Sequence, residues 1–281
     1  MRADRRGGPG DGPVPRSYKW ADAGARSFIV HRGGRGGPRS AGAAGLVEFS
    51  ARRVSRHTYT YCQTMMRALV LLAVAAYAAA QRELILPDPR ACANRVRHAH
   101  EFRNGHHYFY SWRHRATSRH ERDWLDARNI CRKHCQDLVS LEDPQEARMI
   151  ENAVAQDNVR YIWTSGRKCD FDDCDRPDLQ PKLINGWFWS GSGQKMPPSN
   201  TRTAPNYPNW SPTGGSGRAQ PDNREHDEGT GEESCVGILN NFYGDGVKWH
   251  DVACHHQKPW VCEDSDELLN YARSTSRIRI P

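Results

Sequence analysis

The stretch ESCVGILNNFYGDGVKWHDVACHHQKPWVC, Glu233–Cys262, decides the fold. Val236 to Leu239 and Val247-Lys248-Trp249 are short runs rich in aliphatic and aromatic side chains, the composition of strands. Pro259-Trp260-Val261-Cys262 adds a further aromatic and a β-branched residue to close a core, and Cys235, Cys254 and Cys262 punctuate the whole. The stretch reads as a cysteine-bearing β region at the end of a domain.

Working upstream, residues from about 190 to 232 carry six prolines and Gly214-Gly215-Ser216-Gly217, with no strong periodic signal. A loop of that length inside a domain is functional or disordered as a rule. Trp187-Phe188-Trp189 and Tyr161-Ile162-Trp163 read as strands, as do Leu138-Val139-Ser140-Leu141 and Tyr108-Phe109-Tyr110-Ser111-Trp112. Two helices lie between them. Ser118 with Glu121 forms a capping box, and Trp124, Ala127 and Cys131 share a face, which predicts a helix over about 119–134. Asp143-Pro144 opens the second helix, with Glu146 expected to reach back to the cap and Ala147, Ile150 and Val154 as its buried stripe. Residues 81–104 form a basic, loop-like N-terminal segment, and 265–281 a short helix with a frayed tail.

The chain has 281 residues and a formal charge of +7, but the charge is unevenly placed. Residues 1–64 hold twelve Lys and Arg against four Asp and Glu, whereas residues 81–281 hold 27 against 29. The basic excess belongs to an Arg/Gly-rich leader expected to be disordered, or to a gene model begun too early. An Arg-Gly-Gly stretch binds RNA in other proteins, but the charge of the remainder gives no general case for nucleic-acid binding. Met65-Met66-Arg67 followed by apolar Ala68 to Ala80 describes a signal peptide over 65–80 with a mature start at Gln81, and hence secretion. A type II anchor through 68–80 is the alternative, although thirteen residues are short for a bilayer span of about 20.

Beyond the leader stand eight cysteines: Cys92, Cys131, Cys135, Cys169, Cys174, Cys235, Cys254 and Cys262. An even number in a secreted domain points to disulfides. Zinc is the competing reading, since Cys131 and Cys135 sit four apart and Cys254 adjoins His255-His256, yet no second pair completes a Cys/His zinc spacing.

The ordered set of Trp124, Ala127 and Cys131, Leu138-Val139-Ser140, Trp187-Phe188-Trp189, Gln220-Pro221-Asp222, Glu233-Ser234-Cys235, Trp249-His250-Asp251 with Cys254, and Trp260-Val261-Cys262 resembles the C-type lectin-like domain, closest in feel to its secreted arthropod members. The resemblance spans about residues 105–264. It implies an α+β fold, with two helices packed on small antiparallel sheets, a long loop region and disulfide staples. It also implies the bridges Cys131–Cys262 and Cys235–Cys254. Four cysteines then remain, with three possible pairings. Cys169–Cys174 and Cys92–Cys135 are favoured, because a four-residue loop closes easily and Cys135 lies one helical turn beyond Cys131.

In sugar-binding members of that family a calcium ion at the long loop is chelated by vicinal sugar hydroxyls. Carried over by position, the carbohydrate-binding residues are Gln220, Asp222, Glu233, His250 and Asp251. Gln220, Asp222, Glu233 and Asp251 are the oxygen donors for Ca2+, and Pro221 is in a cis peptide that aims its neighbours. The Gln-Pro-Asp order resembles the galactose-type motif. Three departures stand against the transfer. His250 replaces the family's Asn, the stretch from Asp222 to Glu233 is longer than usual, and Asn223-Arg224-Glu225-His226 lacks the aromatic ring on which galactose stacks. Phe242 and Tyr243 are nearby candidates for that ring.

The function expected is that of a secreted, calcium-dependent lectin whose partners are glycans or glycoproteins. The alternative is an extracellular protein-binding module on the same fold with a calcium-independent, degenerate sugar site. No nucleophile elbow, His-Glu-x-x-His or Walker loop is present, so an enzyme is not expected. The acidic run Asp170, Asp172, Asp173, Asp175 and Asp178 lacks the Gly and Glu of an EF-hand and reads as a solvated loop. His98, His100, His106, His107, His114 and His120 form a basic surface that gains charge towards pH 6. Asn209-Trp210-Ser211 is the sequon of the mature chain, with Pro212 and a buried Trp arguing against its use.

Overall fold

Two four-stranded antiparallel sheets carry the domain. The computed structural model describes residues 65–67, 83–202 and 207–281. The leader and most of the expected signal peptide, with the anchor alternative and the start at Gln81, lie outside the described residues. Among those that are described, no helix is long and apolar enough to cross a membrane.

The first sheet joins β1 (Glu101–Arg103), β2 (His106–Tyr110), β3 (Gln136–Leu138) and β8 (Val261–Asp264) in the order β1-β2-β8-β3. The second joins β4 (Tyr161–Lys168), β5 (Trp187–Trp189), β6 (Cys235–Asn240) and β7 (Val247–Val252) in the order β5-β4-β6-β7. Trp189, Trp249, Tyr207, Ile150 and Val236 share one core, and Trp124, Trp163, Trp260 and Cys131 share a second. Gly166 stands where β4 and β6 shift register, and a Cβ there would lie 2.5 Å from that of Val236. Close approach of the two strands therefore requires the glycine.

The helices are α1 (Pro89–Asn94), α2 (Trp124–Lys133), α3 (Pro144–Gln156), α4 (Lys182–Asn185), α5 (Arg224–Asp227) and α6 (Asp266–Thr275). Helix α2 buries Trp124, Ala127 and Cys131 as the spacing predicts, but it begins at 124 rather than 119. Arg122 and Lys258 exchange backbone hydrogen bonds of 3.0 and 2.9 Å, which holds 122 extended and prevents a helical turn over the Ser118 box. Asp123 is the actual cap, accepting from the amide of Asp126 at 3.0 Å. In α3 the cap is Asp143, as expected, but the Glu146 carboxylate turns inward to accept from Tyr108 Oη at 2.6 Å. Burial, with Glu263 nearby, raises its pKa.

Residues 83–104 are more ordered than the composition of that segment suggests. Asp88 caps α1, and Asn104-Gly105, both at positive φ, turn β1 into β2. That Asn-Gly pair is a hairpin signal hidden by the basic residues around it. The strand expected over 138–141 ends at Leu138: Val139 N still donates to Val261 O of β8, but Val139 O accepts from Ser165 N of β4 and Ser140 N turns to the Glu263 carboxylate. The strand expected at Tyr108–Trp112 likewise starts and stops two residues earlier, and Ser111 pairs instead with the backbone of Trp260.

Among the described residues four disulfides close the fold: Cys92–Cys135, Cys131–Cys262, Cys169–Cys174 and Cys235–Cys254. Cys131–Cys262 fastens α2 to β8, and Cys235–Cys254 fastens the start of β6 to the segment after β7. The latter is the floor of the long loop.

Candidate functional site

The long loop is held down by a few buried polar contacts. Glu151, on α3, accepts from Trp249 Nε1 at 2.9 Å and from Asn209 Nδ2 at 2.9 Å. Asn209 also donates to Val247 O and accepts from Lys248 Nζ. Burial raises the pKa of Glu151 while both donors oppose that shift. Asn209 is thus committed inside the domain, and a glycan on its amide would require that network to come apart.

From this anchor the chain runs to Gln220, whose amide donates to Ser211 O at 2.9 Å, and the Gln220–Pro221 bond is cis. The turn that follows is locked onto β7. The amides of Asp222 and Asn223 donate to the two carboxylate oxygens of Asp251 at 3.1 and 2.8 Å. Asn223 stands at φ +50°, which short polar side chains tolerate, and its Oδ1 accepts from the Glu233 amide at 2.9 Å. The insertion between Asp222 and Glu233 is used for α5, which leaves the two acids side by side.

One carboxylate oxygen each from Asp222, Glu233 and Asp251 lies within 4.8 Å of the others. Glu233 and Asp251 are only 4% and 2% exposed, and Glu233 Oε2 has no hydrogen-bond partner among the described residues. Burial first, then the neighbouring Asp251 and Glu225, push the Glu233 carboxyl well above its usual range. Burial also lifts Asp251 to about 6, against its two amide donors. Asp222 has external help from Ser216 Oγ at 2.6 Å and Arg218 Nε at 3.4 Å. Negative charge packed this way costs stability unless it is protonated or met by a cation. The donor set is hard oxygen, which suits Ca2+.

The three acids open into a cavity of about 390 Å3. Gln220, Tyr243 and Phe242 line it, as do Arg160, Tyr161 and Lys258. Phe242 is 38% exposed and packs edge-on against Tyr243 at 5.0 Å, so the cavity does present an aromatic face, supplied from between β6 and β7. Lys258 Nζ sits 4.5 Å from the Tyr161 ring centre and 5.0 Å from that of Trp163, and burial lowers its pKa to about 8. Phe242 and Tyr243 were named from the sequence as candidates for the ring, whereas Arg160, Tyr161 and Lys258 were not, since they come from segments far from the loop in sequence.

His250 borders the cavity but is buried. Its Nε2 lies 3.3 Å from Asp245 Oδ2 without hydrogen-bond alignment, and burial lowers its pKa to about 4. It is neutral at pH 7. Ser211 Oγ donates to the same Asp245. Asp222, Glu233 and Asp251 are therefore brought together with Gln220 on the cavity wall, while His250 faces Asp245.

The acidic run around Cys169–Cys174 is built differently. Asp170 pairs with Arg167 at 3.1 Å, Asp175 with Lys182 at 2.9 Å and Asp178 with Arg176 at 2.8 Å.

The family model described as the lectin C-type domain matches residues 120–264. The chain belongs to the C-type lectin domain family. It is 26% identical over 157 residues to L-selectin of Rattus norvegicus and 25% identical over the same length to L-selectin of Mus musculus. Each match covers 56% of this chain and 33% of the relative, so the chain spans about a third of the length of those proteins. Among solved structures it is similar to the carbohydrate-recognition domain of mouse scavenger receptor C-type lectin, with 17% identity, a TM-score of 0.38, and coverage of 60% of this chain and 95% of that one. It is also similar to the cow CD23 domain solved in the presence of an oligosaccharide, with 21% identity, a TM-score of 0.36, and coverage of 58% and 88%.

Proposed function

We propose that this C-type lectin domain is a secreted carbohydrate-binding protein that holds Ca2+ through Asp222, Glu233 and Asp251, with the Gln220 amide oxygen as a fourth donor, and that it binds galactose-type glycans there. One observation carries the reading: three carboxylates converge at the long loop, and Glu233 Oε2 is buried without a hydrogen-bond partner among the described residues. The bound ion would supply a Lewis-acidic centre able to take two sugar hydroxyls in place of water. Around it, the Asp251 carboxylate fixes the Gln220-Pro221-Asp222 turn through two amides, and Phe242 offers an apolar face for a sugar ring. The proposed role is recognition.

Calorimetry with Ca2+, paired with thermal melts with and without chelator, tests the ion. Calcium at about a hundred times its Kd should raise stability by about 2.7 kcal/mol. A glycan array led by galactosides then tests the sugar. Silence at millimolar calcium would leave the second reading, a calcium-independent module for an extracellular protein. The burial of His250 against Asp245, where the family carries an amide, favours that reading. Secretion, with cleavage before Gln81, is checked by the N-terminal mass of the exported protein; an intact Met1 on exported material would rule the cleavage out.

A further inference from the structure

We propose that Glu225, His255 and His256 form a second and chemically different metal site, for a divalent transition ion such as Zn2+ or Cu2+, on the rim of the same loop. One ligand atom from each lies within 4.8 Å of the other two. His256 Nε2 is 3.0 and 2.9 Å from the two oxygens of Glu225, and the rings of His255 and His256 stack with centres 4.7 Å apart, tilted by 24°. A tetrahedral ion with bonds of about 2.0–2.1 Å keeps its ligand atoms about 3.3 Å apart. The His256–Glu225 pair needs to open by only a few tenths of an ångström to admit it. His255 is exposed and turns freely to close the third side.

The ligands sit on fixed backbone. Glu225 belongs to α5, whose end is tied by Thr230, the amide and hydroxyl of which both donate to Glu225 O, at 2.8 and 3.0 Å. His255 follows Cys254 directly, and Cys254 is bridged to Cys235 while its carbonyl accepts from the Trp124 amide. Two imidazoles and one carboxylate leave a fourth position open, an arrangement that suits zinc or copper and is poor for calcium. The all-oxygen group of Asp222, Glu233 and Asp251 has the opposite preference. The proposal does not rest on the calcium reading, since it shares no ligand with it.

The sequence shows why this site escapes a spacing search. His255-His256 stands beside Cys254, but that thiol is spent in a disulfide, and the third ligand lies thirty residues upstream.

The test is a Zn2+ titration by calorimetry on the full disulfide-bonded chain in buffer containing excess Ca2+, repeated with His255→Ala, His256→Ala, Glu225→Gln and the exposed Asp172→Asn. The expected result is one site whose affinity falls about tenfold or more in each of the first three variants and is unchanged in the fourth. In parallel, the Cu2+ spectrum by electron paramagnetic resonance should show coupling to two nitrogens, reduced to one in His255→Ala. Because His255 is exposed, that variant keeps the fold and decides the matter even if His256→Ala or Glu225→Gln melts early. Zinc affinity that survives the His255→Ala/His256→Ala double variant would assign binding to other histidines, such as the His98–His114 pair, and overturn the proposal. Loss in Asp172→Asn alone would overturn it as well, by placing the zinc in the acidic loop.

Discussion

The chain concentrates carboxylates in two loops, and only one of them has the makings of a cation site. Around Cys169–Cys174 the aspartates stand in solvent, and Asp170, Asp175 and Asp178 each have a cationic partner. At the long loop, Asp222, Glu233 and Asp251 are fewer, yet Glu233 and Asp251 are buried and Glu233 Oε2 has no hydrogen-bond partner among the described residues. Density of acid along a sequence says little about affinity for an ion. Burial without a counter-charge says more, because the energetic cost of that arrangement is relieved by the ion itself.

The sharpest contrast comes from the disulfides, the α2–β8 bridge against the one that closes the acidic loop. Replacing both Cys131 and Cys262 with Ala releases a closure of 131 residues, worth about 5 kcal/mol in the entropic account, whereas losing Cys169–Cys174, with a separation of 5, costs about 2 kcal/mol. Urea midpoints of the two double variants measure the difference. If they were equal, the acidic loop would carry more structure than its solvated character allows.

Next in size is the effect on calcium. Asp251→Asn should weaken Ca2+ by about a hundredfold or more by calorimetry, while Asp172→Asn should leave it alone. Were the two variants to behave alike, the comparison would fail at its centre.

Without metal, the site should be a stability liability. Glu233→Gln removes a buried carboxyl that folding must either protonate or leave charged beside Asp251, so its chelator-treated melting temperature should rise by about 2–4 °C, corresponding to about 1 kcal/mol in a domain of this size, while calcium stabilisation is lost. A lower melting temperature in chelator would mean that Glu233 is satisfied by a partner inside the protein.

Glu263 supplies a control, a buried carboxylate that does have a cation. The hydrogen bond from His106 at 2.6 Å raises the His106 pKa to about 9. Its stabilising effect is full below pH 6.5 and is lost as pH rises through 9. A melting profile from pH 6 to 10 should therefore fall more steeply in the wild type than in His106→Ala. The smallest effect belongs to Asp175→Asn in the acidic loop, where melting should stay within about 1 °C.

Much of the framework was legible in the chain. The apolar face of α2, the Asp143-Pro144 cap and the tryptophan strands follow from local periodicity and cap chemistry, which act over a few residues. The start of α2 was not, because a backbone bridge from Lys258 overrides the Ser118 signal from more than a hundred residues away. The hairpin at Asn104-Gly105 was present in the sequence and hidden by surrounding charge.

For the site, the sequence determined the kinds of atom available: the Gln-Pro-Asp turn, the acids at 233 and 251, and a histidine at 250. Tertiary structure alone decided their company. It turned His250 toward Asp245, brought Phe242 and Tyr243 to the cavity from the β6–β7 connection, and set Glu225 against His256. The reason is physical. Residue type and spacing fix local conformation, but burial and the identity of a charge's neighbours exist only after distant segments have packed.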